Sequence, residues 1–138
     1  MKKIISLILV AVLALCSVFA FASCGGDESL DAAYAKALKN IGYNADDYAD
    51  AETLTVAMSP DFAPMEFYDT AKSGADAIVG FDVLLAKYIA KELGMKLVID
   101  PMSFDASMAA VTSGNADLAI SGFSWTAERA ETFLISDY

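Results

Sequence analysis

From residue 54 onward, apolar and polar positions fall into blocks with regular periods. Residues 54–58 are a largely apolar run that reads as a buried strand. Residues 59–64 (Ser-Pro-Asp-Phe-Ala-Pro) read as a loop fixed by two prolines. Residues 66–69 and 77–79 are expected to pair as a hairpin around Lys72, Ser73 and Gly74. Gly80 leads into an amphipathic helix with Phe81, Leu84, Leu85, Tyr88, Ile89 and Leu93 as its apolar stripe and Gly94 as its stop. Residues 95–100 read as a strand and 105–113 as a short helix closed by Gly114. Residues 117–121 read as a further buried strand. Thr126 is an N-cap candidate, which makes Ala127, Glu128 and Arg129 the first turn of a last helix. Upstream, Leu30, Ala33, Tyr34, Ala37, Leu38 and Ile41 recur at helical spacing before Gly42, and residues 43–52 read as an acidic linker. That linker lacks the glycine and terminal glutamate of a calcium-binding loop.

Helices alternating with buried strands imply an α/β domain built on an open, mostly parallel sheet with flanking helices. In such sheets ligands bind beyond the carboxyl ends of the strands. The loops 59–65, 103–104 and 121–126 all follow strands, so they are expected to gather at one edge.

Arg129 stands out there, because the chain uses lysine eight times and arginine once. A guanidinium clasps a carboxylate through two parallel hydrogen bonds, whereas an ammonium is a point charge. On the first turn of a helix, beside unpaired N–H groups, Arg129 reads as part of an anion site to which Ser121 and Ser124 add polar groups. On this segment alone, a surface helix in which Arg129 pairs with Glu128 or Glu131 is the simpler account.

The amino terminus bears on compartment. Lys2 and Lys3 precede residues 4–23, twenty uncharged and mostly apolar positions, and the first acid is Asp27. This is the pattern of a secretory signal, and the stretch is also long enough to serve as an uncleaved membrane anchor. It ends in Ala22 and Ser23 before Cys24-Gly25-Gly26, which resembles the lipobox of bacterial lipoproteins, with Phe21 where leucine is usual. The resemblance implies that residues 1–23 leave as the signal and that Cys24 is lipidated. Two acyl chains, at roughly 0.8 kcal/mol per buried methylene, then hold the domain on the membrane. Losing the two lysines takes the net charge from −10 to −12, which argues against nucleic acid as a partner. Without histidine there is no His-based general base and no zinc site of ordinary type.

The strings APMEF (63–67), GFDVLLAKYIAKELG (80–94), SFDASMAAVTSGNADLAISG (103–122), FSWTAER (123–129) and FLISDY (133–138) resemble, in order and spacing, the extracellular solute-binding proteins that serve amino acid ABC importers. Leu84 stands where that family usually has an acid, and Met65 where an aromatic is common. The resemblance implies a lobe of the type II periplasmic-binding-protein fold, with residues 1–23 as signal, 24–52 as a lipid-anchored tether with a short helix, and 53–138 as an incomplete first lobe. It implies that Arg129 grips the ligand's α-carboxylate with Ser124 beside it, and that the Gly122 carbonyl meets the α-ammonium. By the same resemblance Phe62 and Phe104 flank the ligand, while Ser59 and Ser121 line its side-chain pocket.

By composition alone an aromatic in a polar loop is more often packing, and the resemblance reverses that for Phe62 and Phe104. Trp125 is expected to pack at the helix start. Asp61, Glu66 and Asp82 are expected to cap helices or face solvent. The implied partners are a free amino acid, the permease and ATPase of an importer, and the membrane through the lipid; no cofactor is implied. The family's members close two lobes on a ligand, so the chain is expected to be a fragment whose single lobe binds no amino acid tightly. Two other classes share the fold: a sensor domain of a signalling protein and a dehydratase-like enzyme.

Overall fold

The computed structural model describes residues 29–136. The expected signal segment and the lipidation site at Cys24 lie outside the described residues. Within the latter, no helix is long and apolar enough to cross a membrane.

The central strand is β1 (Thr53–Met58). It lies between β5 (Lys96–Pro101) and β6 (Leu118–Ala119) in a three-stranded parallel sheet of order β5-β1-β6. Thr53 to Met58 run in register with Lys96 to Pro101, and Val56 and Ala57 pair with Leu118 and Ala119. β6 is shorter than the expected 117–121, yet its flanks stay tied: the Asp117 and Ile120 N–H groups donate to the Thr55 and Ala57 carbonyls. Because all three strands run the same way, their carboxyl ends deliver Ser59, Ser103 and Ser121 to one edge, as expected from the pattern.

Alternation along β1 sends Leu54, Val56 and Met58 toward Val83, Ala86 and Ala90 of helix α2 (Phe81–Leu93). Ala57 joins Ala110 and Ala116 in a second cluster beside helix α3 (Phe104–Thr112). The face that α2 buries is not the expected stripe. Asp82, Val83, Ala86 and Ala90 are buried, while Phe81, Leu85, Tyr88 and Leu93 are exposed and only Ile89 of the stripe packs against the core. Alanines let the helix axis approach the sheet, and a row of larger side chains would hold it off.

A second sheet, antiparallel and of order β2-β3-β4, joins β2 (Asp61–Phe62), β3 (Glu66–Tyr68) and β4 (Ile78–Val79). The hairpin is as expected, but the loop 59–64 contributes a strand of its own. Phe62 pairs with Glu66 across a turn in which the Ala63–Pro64 peptide is cis. The carbonyls of Pro64 and Met65 then accept from the N–H groups of Phe81 and Asp82, closing the start of α2. Gly80 between them has φ +126°, and a Cβ there would lie 2.2 Å from the Met65 oxygen.

Helix α1 (Leu30–Ile41) forms as the spacing predicts, ending at Gly42 with φ +65°. The compact unit that carries the site begins at Tyr34, well before residue 53. The expected linker is docked: the Tyr43 hydroxyl accepts from the Leu97 N–H at 2.6 Å, and Lys91 Nζ donates to the Ile41 carbonyl at 2.6 Å. Tyr48, in the 3-10 turn Ala45–Tyr48, stacks on Tyr43.

Candidate functional site

Where the parallel strands end, a cleft of about 370 Å³ opens, lined by Asp61, Phe62, Glu66, Phe104, Ser121 and Gly122. Four of the seven residues expected at a ligand site are therefore in its wall. Of the other three, Ser59 lies beneath that wall, 2 % exposed, its N–H donating to Ser121 Oγ at 2.9 Å and its hydroxyl to Asp61 Oδ1 at 3.2 Å. Ser124 and Arg129 are not among the lining residues and lie behind Phe104, whose ring the Arg129 guanidinium approaches.

Arg129 sits on α4 (Ala127–Ala130), where the expected cap forms: Thr126 Oγ1 accepts from the Arg129 N–H at 3.1 Å. The helix is a single turn, so its dipole is slight and the anion-binding capacity rests on the guanidinium itself. That group lies 5.5 Å from the Phe104 ring centroid and 6.0 Å from that of Phe123. Its Nη1 donates to the Ser124 carbonyl at 2.8 Å. Among the described residues it forms no ion pair with Glu128 or Glu131. Phe104 in turn packs on Phe123, with centroids 4.7 Å apart. Phe104 is the first residue of α3 rather than a loop residue, since Ser103 caps that helix one position earlier than expected. Ser124 thus meets Arg129 through its carbonyl, not its hydroxyl. Trp125, just before the Thr126 cap, keeps over half its surface exposed.

Gly122 has φ +57°, and a Cβ there would meet the Phe62 ring at 3.2 Å. Its N–H donates to Asp82 Oδ2 at 3.2 Å. Asp82, expected to cap or face solvent, is 4 % exposed and anchors the loop after β6.

Glu66 departs furthest from expectation. It is 1 % exposed, its Oε1 accepts from Ser121 Oγ at 2.6 Å, and its Oε2 has no hydrogen-bond partner among the described residues. Burial pushes its carboxyl up, the Ser121 hydroxyl pulls it back, and the Asp82 and Asp61 carboxylates push it further up. The result is about 7 against an ordinary 4.5. Sequence reasoning missed Glu66 and Asp61 as cleft residues. Period-two alternation carries no signal for Glu66, because Tyr68 on the same face of β3 is exposed.

A second cleft, of about 440 Å³, lies between Tyr34, Leu38, Lys72, Asp76 and Lys87. Lys72 pairs there with Asp69 at 3.0 Å, while burial pushes the Lys87 ammonium down and the charge of Asp76 only partly offsets this. The sheet-edge cleft is the one that holds a buried polar atom without a hydrogen-bond partner among the described residues.

Residues 54–138 match the sequence profile of the bacterial extracellular solute-binding proteins, family 3. The arginine-binding extracellular protein ArtP of Bacillus subtilis is 32 % identical over 137 residues, covering 99 % of this chain and 44 % of ArtP. A cyclohexadienyl dehydratase of Pseudomonas aeruginosa is 36 % identical over 80 residues, 58 % of this chain and 28 % of the enzyme. This chain thus spans less than half the length of either relative. Among solved structures, the arginine-bound form of domain 1 from TmArgBP superposes with a TM-score of 0.53 at 43 % identity, over 57 % of this chain and 60 % of that one. A profile match across most of the chain, on a fold that superposes with a relative at this identity, shows that the chain belongs to the bacterial extracellular solute-binding proteins, family 3.

Proposed function

We propose that this chain is the substrate-binding component of an amino acid ABC importer, and that it captures amino acids with positively charged side chains outside the cell membrane. One observation carries the reading: the cleft wall holds a buried carboxyl with one unpartnered oxygen, and the Arg129 guanidinium lies 5.5 Å from the ring centroid of Phe104, which lines the same cleft. A ligand suited to both ends carries a carboxylate and a cation. In this reading Arg129 pairs with the α-carboxylate beside Ser124, and the Gly122 carbonyl takes the α-ammonium. Phe62 and Phe104 flank the ligand's stem, with Ser121 in the side-chain pocket and Ser59 supporting it. Glu66 takes the cationic end. The arginine named in ArtP and bound to domain 1 of TmArgBP supports that class. The second of these also supports capture by one lobe, so the expectation that a single lobe binds no amino acid tightly is given up here. Cys24 carries the lipid anchor once residues 1–23 are removed, and a permease and ATPase receive the ligand.

The test is calorimetric titration of the chain with L-arginine. Arg129→Lys is expected to raise Kd about 30-fold, roughly 2 kcal/mol, because the two-bond clasp on the carboxylate is lost. An unchanged Kd rejects Arg129 as the carboxylate site.

The dehydratase relative, together with a Glu66 poised near neutrality, favours one second reading: acid–base chemistry on a small carboxylate. Recovery of the bound ligand unchanged, by mass spectrometry after hours with stoichiometric protein, removes it.

A further inference from the structure

Glu66 presents a problem of charge that its own neighbours do not solve. Ser121 has one hydroxyl proton and directs it to Oε1, while its oxygen accepts from the Ser59 N–H. Oε2 is left without a partner, in a residue 1 % exposed that lines the cleft. The titratable groups around it are Asp61 from β2 and Asp82 from α2, both acids, and the loop after β6 brings only the neutral Ser121. Asp61 is engaged by the Ser59 hydroxyl and Asp82 by the Gly122 N–H, and a proton on Glu66 is shared with the Asp82 carboxylate, which helps to hold it there. Of the residues lining the cleft, none carries positive charge. A buried carboxylate beside two others must be neutralised from outside, by a proton or by a cation.

Resting on the amino acid reading above, we propose that Glu66 holds a proton on Oε2 in the empty cleft and releases it to water as the ligand's cationic side chain settles there. Capture of a cation and loss of a proton are then one event. The O–H bond of the carboxyl breaks, its electron pair stays on Oε2, and the ligand's charge replaces that of the proton. The burial and neighbouring acids that raise the carboxyl to about 7 place this exchange at physiological pH. The sign follows from linkage. Above pH 7 the site is already ionised and affinity is full. Below it each proton must first be displaced, so arginine binds about tenfold more weakly at pH 6 than at pH 8, and about a hundredfold more weakly at pH 5. A neutral ligand of the same shape, such as citrulline, gains nothing from displacing the proton and its affinity does not weaken on acidification. Release in an acidic zone thus becomes a property of cationic ligands alone.

The experiment is calorimetric titration of the chain with L-arginine and with citrulline at pH 6 and pH 8, in buffers of different ionisation heat, which counts protons released. Carbon-13 NMR of the glutamate carboxyls in the unliganded protein accompanies it. About one proton released per arginine at pH 6, few at pH 8, none with citrulline, and one glutamate titrating near 7 are the expected results. In Glu66→Gln the proton count and the pH dependence for arginine are both expected to vanish. Arginine binding at pH 6 with no proton released overturns the exchange while leaving amino acid capture standing. If no amino acid binds at any pH, capture and exchange fall together. If every glutamate titrates near 4.5, the exchange fails whatever binds, and this needs no variant to fold.

Discussion

A carboxyl 1 % exposed and partnered on one oxygen leaves a mark on stability as well as on binding. Its folded value of about 7 lies above the ordinary 4.5, so between those pH values the folded chain holds a proton that the unfolded chain has released. Stability is therefore expected to be full below pH 4.5 as far as this group is concerned, and to fall as pH rises toward 7. Urea unfolding at pH 5 and pH 8 reads the slope. Glu66→Gln should flatten it and stabilise the protein at pH 8 by roughly 2 kcal/mol; the same pH dependence in both proteins would reject the assignment. The Thr126 cap that sets Arg129 on the last helix was legible, since it is local. Glu66 was not: its hydroxyl partner, Ser121, lies 55 positions away, and only folding puts the two 2.6 Å apart.

Elements explain why some substitutions should matter and others not. Gly80 joins β4 to α2 at φ +126°, with the Met65 carbonyl where a side chain would begin. Gly80→Ala is expected to destabilise on the order of 3 kcal/mol, because both the backbone conformation and the contact oppose it. Loss of less than about 1 kcal/mol in chemical denaturation would show that the turn relaxes. On α2 the outcome divides by face. Tyr88→Lys, on the exposed side, should stay within about 0.5 kcal/mol of the parent. Ala86→Leu, against the sheet, should lose roughly 2 kcal/mol through overpacking. The reverse order, read by the same denaturation curves, would restore the apolar stripe as the buried face. The helix itself was legible, with its glycine borders and length, because periodicity and stop signals are written in neighbouring residues. Its orientation was not, because hydrophobicity ranks side chains by size whereas the closeness of helix to sheet selects the small ones.

Over the whole molecule, a net charge of −10 surrounds a cleft with three acids at or beside it. A cationic ligand is drawn in by that field, so its association rate is expected to fall several-fold between about 20 mM and 500 mM salt, while a neutral analogue's rate stays nearly constant. Trp125, the single tryptophan, follows Ser124 and is half exposed, which makes stopped-flow fluorescence the natural readout. Equal salt dependence for both ligands would assign the field no part in capture. The sequence by itself determined the longer helices and strands, their α/β order, the parallel sheet with its loops at one edge, the Thr126 cap and the family likeness, because each depends on residues near one another in the chain. Only the tertiary structure decided that residues 43–52 dock rather than trail, that α2 buries its alanines, and that Asp82 and Glu66 turn inward. Those outcomes depend on distances between segments tens of residues apart, and no local period records them.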